Sequence, residues 1–159
     1  MQTIRIVCVG KCKEKYWRDA CGEYGKRLSG FCRFEIVEVD EERLPERPSQ
    51  AQIENGLEQE GKRLLQKAGN SAVIALCVEG KELSSPQLAQ RLERMAVNGM
   101  GNVAFVIGGS WGLWEEVKQK AVLRLSMSPM TFPHQLARVM LCEQVYRAFQ
   151  IITSGKYHK

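Results

Sequence analysis

The chain has 159 residues, 44% of them hydrophobic, enough for one globular domain (1–159) with a buried core. No apolar run approaches membrane-spanning length, and Met1 to Gly10 lacks the charged head and long apolar core of a signal peptide. Six cysteines form no Cys-x-x-Cys pair and neither His134 nor His158 lies near a cysteine in sequence, so a reduced, cytoplasmic protein without a metal or membrane is expected.

The net charge of +5 is spread unevenly: residues 1–34 carry +5, residues 35–62 carry −6, and the remainder +6. Two basic segments that share a face would suit a polyanion. The chain alternates strand and helix signals. Thr3 to Val9 alternates and is rich in β-branched residues, as a strand requires, and Trp17, Cys21, Tyr24 and Leu28 then recur at helical spacing. Arg33 to Val39 resembles a second, half-buried strand. Asp40 to Pro48 is acidic and proline-bearing, hence a loop, and Ser49 with Gln52 has the pattern of a capping box opening a helix through Ile53, Leu57, Leu64 and Leu65. Gly56 and Gly61 count against that helix.

Ala72 to Val78 is a continuous apolar run of strand length, expected when helices cover both sheet faces, and it stops at Glu79, Gly80, Lys81. Ser85 and Pro86 signal a helix start, with Leu88, Leu92 and Met95 inside and Asn98, Gly99 closing it. A strand over Val103 to Ile107, a short helix from about Trp114 to Lys120, a strand over Val122 to Ser126 and a long helix from about His134 to Thr153 complete the chain. The alternation predicts an α/β protein with a mainly parallel sheet of five to six strands and helices on both faces.

Two strand ends stand out. After Ile107 come Gly108, Gly109, Ser110, Trp111 and Gly112, whose glycines let a ligand approach the main chain closely. After Leu125 comes Ser126 to His134, a polar loop stiffened by Pro129 and Pro133. Both ends are expected to face one site, as ligand sites do in open α/β sheets. Residues 108–112 also satisfy G-x-S-x-G, so a serine esterase of the α/β-hydrolase type using Ser110 is a rival, with Glu143 and His158, or Glu115 and His134, in the required order. Only one strand follows Ser110, too few for that fold. The last helix carries Leu136, Val139, Met140, Val145, Tyr146 and Phe149 on one side, widened by Leu141, Ala148 and Ile152, more apolar surface than one contact needs. A homodimer is the favoured explanation.

Several ordered motifs carry a resemblance over essentially the whole chain: Phe105 to Gly112 (FVIGGSWG), Leu125 to His134 (LSMSPMTFPH), Arg138 with Glu143 to Phe149 (EQVYRAF), the terminal Tyr157, His158 and Lys159, and the N-terminal Val9, Gly10, Lys11 with Lys15, Tyr16 and Trp17. Together they resemble the ribosomal RNA large subunit methyltransferase H family of the SPOUT superfamily. The resemblance implies a C-terminal trefoil knot, a homodimer, and transfer of a methyl group from S-adenosyl-L-methionine to N3 of a pseudouridine in helix 69 of 23S rRNA within the 70S ribosome. A non-catalytic ribosome-binding module is the alternative of another class.

Carried over by position, the resemblance implies cofactor contacts from Leu76, Gly108, Met127, Ser128, Pro129, Met130, Thr131 and Phe132. It implies catalytic roles for Tyr157, His158 and Glu143, with Arg138, Arg147 and Lys159 on RNA; the tail of one subunit is expected to reach the cleft of the other. Lys159 stands where some relatives have arginine, which removes the bidentate option there. Trp111 and Trp114 suit either stacking on a base or covering the helix start.

Overall fold

The computed structural model describes residues 1–154. Five strands, β1 (Thr3–Val9), β2 (Arg33–Val39), β3 (Ala72–Glu82), β4 (Asn102–Ile107) and β5 (Leu123–Ser126), form one sheet in the order β2-β1-β4-β3-β5. Every pairing is parallel, so the expected sheet is realised with five strands and no antiparallel member. The helices are α1 (Lys15–Leu28), α2 (Gln50–Ala68), α3 (Ser85–Val97), α4 (Glu115–Lys120) and α5 (His134–Ser154).

Strand alternation sorts side chains between two cores. Ile4, Ile6, Cys8, Val103, Phe105 and Ile107 meet α1, α3 and α5, whereas Val7, Val9, Ala104 and Val106 meet α2 and α4. Both faces are covered, which is why β3 and β4 read as unbroken apolar runs.

Local signals set most boundaries. Ser49 and Gln52 form the reciprocal capping box that opens α2. A second box, Ser84 with Gln87, opens α3, so the cap is Ser84 rather than Ser85, and Pro86 sits in the first turn. The two glycines of α2 do not break it. A Cβ on Gly61 would lie 2.5 Å from Trp114 Cε3, and one on Gly56 would lie 3.2 Å from Leu44 Cδ2. The helix accepts the propensity cost of glycine because Trp114 comes closer to Gly61 than any side chain permits and Leu44 crowds Gly56.

β3 runs further than its apolar stretch. Its pairing with β5 jumps, so that Leu76 and Lys81 both partner Leu125 and the residues from Cys77 to Gly80 bulge outward. Gly80 makes the return possible, since a Cβ there would stand 2.8 Å from the Arg124 carbonyl oxygen. The core stripe of α5 also differs from expectation: Leu141, Cys142, Val145, Ala148 and Phe149 are buried, while Leu136, Val139, Met140 and Tyr146 are half-buried. No described helix is long and apolar enough to cross a membrane.

Candidate functional site: a cleft at the carboxyl edge of the sheet

With all strands parallel, their C-terminal ends share one edge, and the connections after β3, β4 and β5 meet there. They enclose a cleft of about 260 Å³. Its walls are Leu76 to Glu79 from the β3 bulge, Ile107 to Ser110 with Gly112 and Leu113 after β4, Lys118 from α4, Met127, Ser128, Met130, Thr131 and Phe132 after β5, and His134 and Ala137 at the start of α5. Leu76, Gly108 and the 127–132 loop are therefore brought together. Pro129, exposed at the loop's outer side, is the exception.

The turn after β4 is built by backbone approach. Gly109 and Gly112 form an isolated antiparallel bridge, Gly112 has φ 93°, and its N–H donates to the Gly109 carbonyl at 3.0 Å. A Cβ on Gly108 would sit 2.3 Å from the Gly112 oxygen. This geometry removes the esterase reading. Ser110 lies at the tip of a tight bridge, exposed, with α4 starting only at Glu115, whereas a nucleophile elbow passes directly from strand to helix. Among the described residues Ser110 makes no hydrogen bond to a base.

The loop after β5 is stiffened by hydroxyls. Ser126, buried at the strand end, donates to the Ser128 carbonyl at 3.1 Å, and the Met130 N–H donates to Ser128 Oγ at 3.0 Å. Pro133 cannot extend the ladder, and its carbonyl accepts the Ala137 N–H at 2.9 Å to begin α5. At the cleft mouth Lys118 Nζ pairs with Glu79 Oε1 at 2.6 Å, and that hydrogen bond holds the Glu79 carboxyl below its usual range.

Other expected site residues lie elsewhere. Arg138, expected on RNA, is only 3% exposed. Its Nη1 donates to Glu38 Oε2 at 2.6 Å and its Nη2 to the Gly10 carbonyl at 3.2 Å, so it ties α5 to β2 and to the turn after β1. A guanidinium enclosed in this way presents nothing to a phosphate in this conformation. Burial raises the Glu38 carboxyl, but the Arg138 hydrogen bond, the Cys12 N–H and the Arg138 charge more than offset it, leaving it below 4.5. Arg147 is half-buried and bonded to Glu143 on its own helix at 2.8 Å. Glu143 is nine residues beyond His134, about 13 Å along α5, and does not line the cleft. Tyr157, His158 and Lys159 lie outside the described residues. Trp114 caps α4 and packs on Gly61, while Trp111 is exposed. Cleft residues missed from sequence include the bulge and Lys118. Gly80 inside a strand pattern was the available signal for the bulge.

Residues 1–158 match the family model described as Predicted SPOUT methyltransferase. The chain belongs to the SPOUT methyltransferases. As a member, it is an enzyme whose methyl donor is S-adenosylmethionine. The SPOUT chain is 48% identical over 157 residues to the Ribosomal RNA large subunit methyltransferase H of Streptococcus uberis, covering 98% of this chain and 99% of the relative. The protein of that name from Leuconostoc mesenteroides subsp. mesenteroides is 46% identical with the same coverage. A solved probable methylase family protein from Haemophilus influenzae Rd KW20 shares the fold with a TM-score of 0.56 and 16% identity, over 98% of this chain and 70% of that one.

Proposed function

We propose that this chain, acting in the cytoplasm as a homodimer of one-domain subunits (1–159), transfers the methyl group of S-adenosylmethionine to N3 of a pseudouridine in helix 69 of 23S rRNA on the assembled ribosome. The observation that carries the reading is the cleft itself. Its lining combines apolar side chains, Leu76, Ile107, Leu113 and Phe132, with main-chain groups left accessible by Gly108 and the 127–132 loop. That donor set suits a nucleoside whose base edge is read by backbone and whose faces need apolar cover.

The bound cofactor supplies an activated methyl group, so the chain needs only to align it and to assist loss of the imide proton. Leu76 and Phe132 would exclude water from the nucleoside, the backbone at Gly108 and 127–132 would orient it, and the Lys118–Glu79 pair stands at the mouth. A proton acceptor belongs to the tail, Tyr157 or His158, or to Glu143. Within one chain Glu143 is too far along α5 to serve its own cleft, which supports a second subunit bringing it there. In further support, Glu143 Oε2 is buried without a hydrogen-bond partner among the described residues. Leu136 and Met140 share its helix face outside both cores, as a dimer surface requires. Arg147 and Lys159 are the RNA contacts of this reading. The implied trefoil knot goes with it; in support, α5 leaves the edge strand β5 and packs back onto α3 and α1.

The test is transfer of labelled methyl to ribosomes from cells lacking this chain. Wild type transfers label, and truncation after Gly155 abolishes it. Mixing that truncation with a subunit disabled in the cleft restores about a quarter of wild-type transfer if tail and cleft come from different subunits. No transfer by wild type would leave only a ribosome-binding module, and no restoration on mixing would place tail and cleft in one chain.

A further inference from the structure

Resting on the rRNA reading above, we propose that the turn after β1 and the first turn of α1, Lys11 to Arg18, dock unpaired RNA beside the target nucleotide. Lys11 and Lys13 would contact phosphates, and Tyr16 would stack under a base.

Position comes first. β1 and β4 are neighbours with Cys8 opposite Ile107, so the turn after β1 lies beside the glycine turn of the cleft. The glycine turn packs on the last residue of β1, from which the first turn departs: a Cβ on Gly109 would be 3.1 Å from Val9 Cγ1. An RNA strand whose target base enters the cleft has this turn as its adjoining surface.

Chemistry comes second. Lys11, Lys13, Lys15 and Arg18 face one acid inside the segment, Glu14, and Lys15 is paired with Asp19 just beyond it at 2.8 Å. That leaves Lys11 and Lys13 as exposed ammonium groups on the turn. Tyr16 is 64% exposed, an unusual place for so much aromatic surface, and Trp17 lies against it edge to face with centroids 4.9 Å apart. Cations alternating with an exposed ring form the combination that grips single-stranded nucleic acid.

Rigidity comes third. The turn buries little, yet side chains hold it throughout. Arg138 donates to the Gly10 carbonyl, Glu38 accepts the Cys12 N–H at 2.8 Å, and Arg18 Nη1 donates to the carbonyls of Cys12 and Lys13 at 3.2 and 2.8 Å. A merely solvated loop has no use for such bracing, whereas a docking element loses less entropy when it binds. Arg138 thereby becomes a positioning residue, acting on RNA through the turn.

Equilibrium binding to undermethylated ribosomes, measured over a range of salt, decides it. Lys11→Gln with Lys13→Gln should reduce the slope of log affinity against log salt by about 1.4, for two phosphate contacts to a single strand. Tyr16→Ala should weaken binding about tenfold with the slope unchanged. Affinity for S-adenosylhomocysteine should stay at the wild-type value in both, and arginine at positions 11 and 13 should restore the slope. Unchanged ribosome affinity and slope would overturn the proposal. So would a loss shared equally by S-adenosylhomocysteine, which would mean that the turn only supports the cleft. Wild type that binds ribosomes but transfers no methyl would defeat the functional reading while the slopes still judge the docking surface; wild type that binds none would defeat both.

Discussion

The turns after β1 and β4 are neighbours on one sheet edge and are held by opposite means. The first is exposed and charged, braced by Arg138, Glu38 and Arg18 through side-chain hydrogen bonds. The second is glycine-rich and held by backbone lying closer to backbone than any Cβ allows. Side-chain bracing can be weakened one bond at a time. Backbone approach has no intermediate setting, because the first added carbon already collides. The contrast divides the edge into a surface tolerant of gradual change and a cleft wall that is not.

The largest effect should come from Gly108→Ala. The methyl must displace the Gly112 carbonyl from 2.3 Å, so stability should fall by about 3 kcal/mol in urea unfolding and binding of S-adenosylhomocysteine should vanish in calorimetry. Near-normal binding would show that the β4 turn is softer than its geometry implies.

Arg138→Met should come next. It removes a buried cation from a pair whose acid is 36% exposed, so the cost is about 2 kcal/mol, less than for a fully enclosed pair. Its signature is selectivity: ribosome affinity should fall, and cofactor affinity should stay within about twofold, since the lost bonds brace only the first turn. Equal losses of both would erase the distinction between the two turns.

Smaller and of opposite sign are two carboxyls near these turns, Glu38 exposed and Glu60 buried. Glu38 has its folded pKa lowered, so its stabilisation is present above about 4.5 and is lost as pH falls through the folded value. Glu38→Gln should therefore cost about 1 kcal/mol at neutral pH, with the deficit shrinking in acid. Glu60, 7% exposed, sits where a Cβ on Gly109 would be 3.5 Å from its Oε1. Burial raises its pKa, the Glu42 N–H lowers it in part, and the charges of Glu41 and Glu42 raise it further. Its ionisation costs stability as pH rises through the folded value, so Glu60→Gln should be neutral or stabilising at neutral pH by less than about 1 kcal/mol, a gain that fades below 4.5. Thermal unfolding from pH 4 to 8 would check both, and parallel profiles would refute the contrast.

What could be read from the chain followed how local each cause was. β1 and β2 end where the alternation ends, and the Ser49 box opens α2, because those signals involve neighbouring residues. The glycines of α2 misled because their partners, Trp114 and Leu44, are distant in sequence. The extension of β3 beyond Val78 depends on pairing with β5, again non-local. α5 contacts both α1 and α3, which buries Leu141 and Ala148, as the sequence stripe implied, and adds Cys142 to them. The meeting of the loops after β4 and β5 was legible, since glycine and proline at strand ends of a parallel sheet converge on one edge. Arg138 was not: nothing near it in sequence announces Glu38, a hundred residues away, and an arginine beside a basic tail reads as a surface group until its burial is seen.

The proposed function requires the cleft between the β4 and β5 turns to hold the sulfonium cofactor chiefly through main-chain groups. A crystal structure with S-adenosylhomocysteine tests it most directly. Density for the nucleoside between Leu76, Gly108 and residues 127–132, with backbone groups on the base edge, is the predicted result. Density at any other surface, or an empty cleft at saturating ligand, would contradict it.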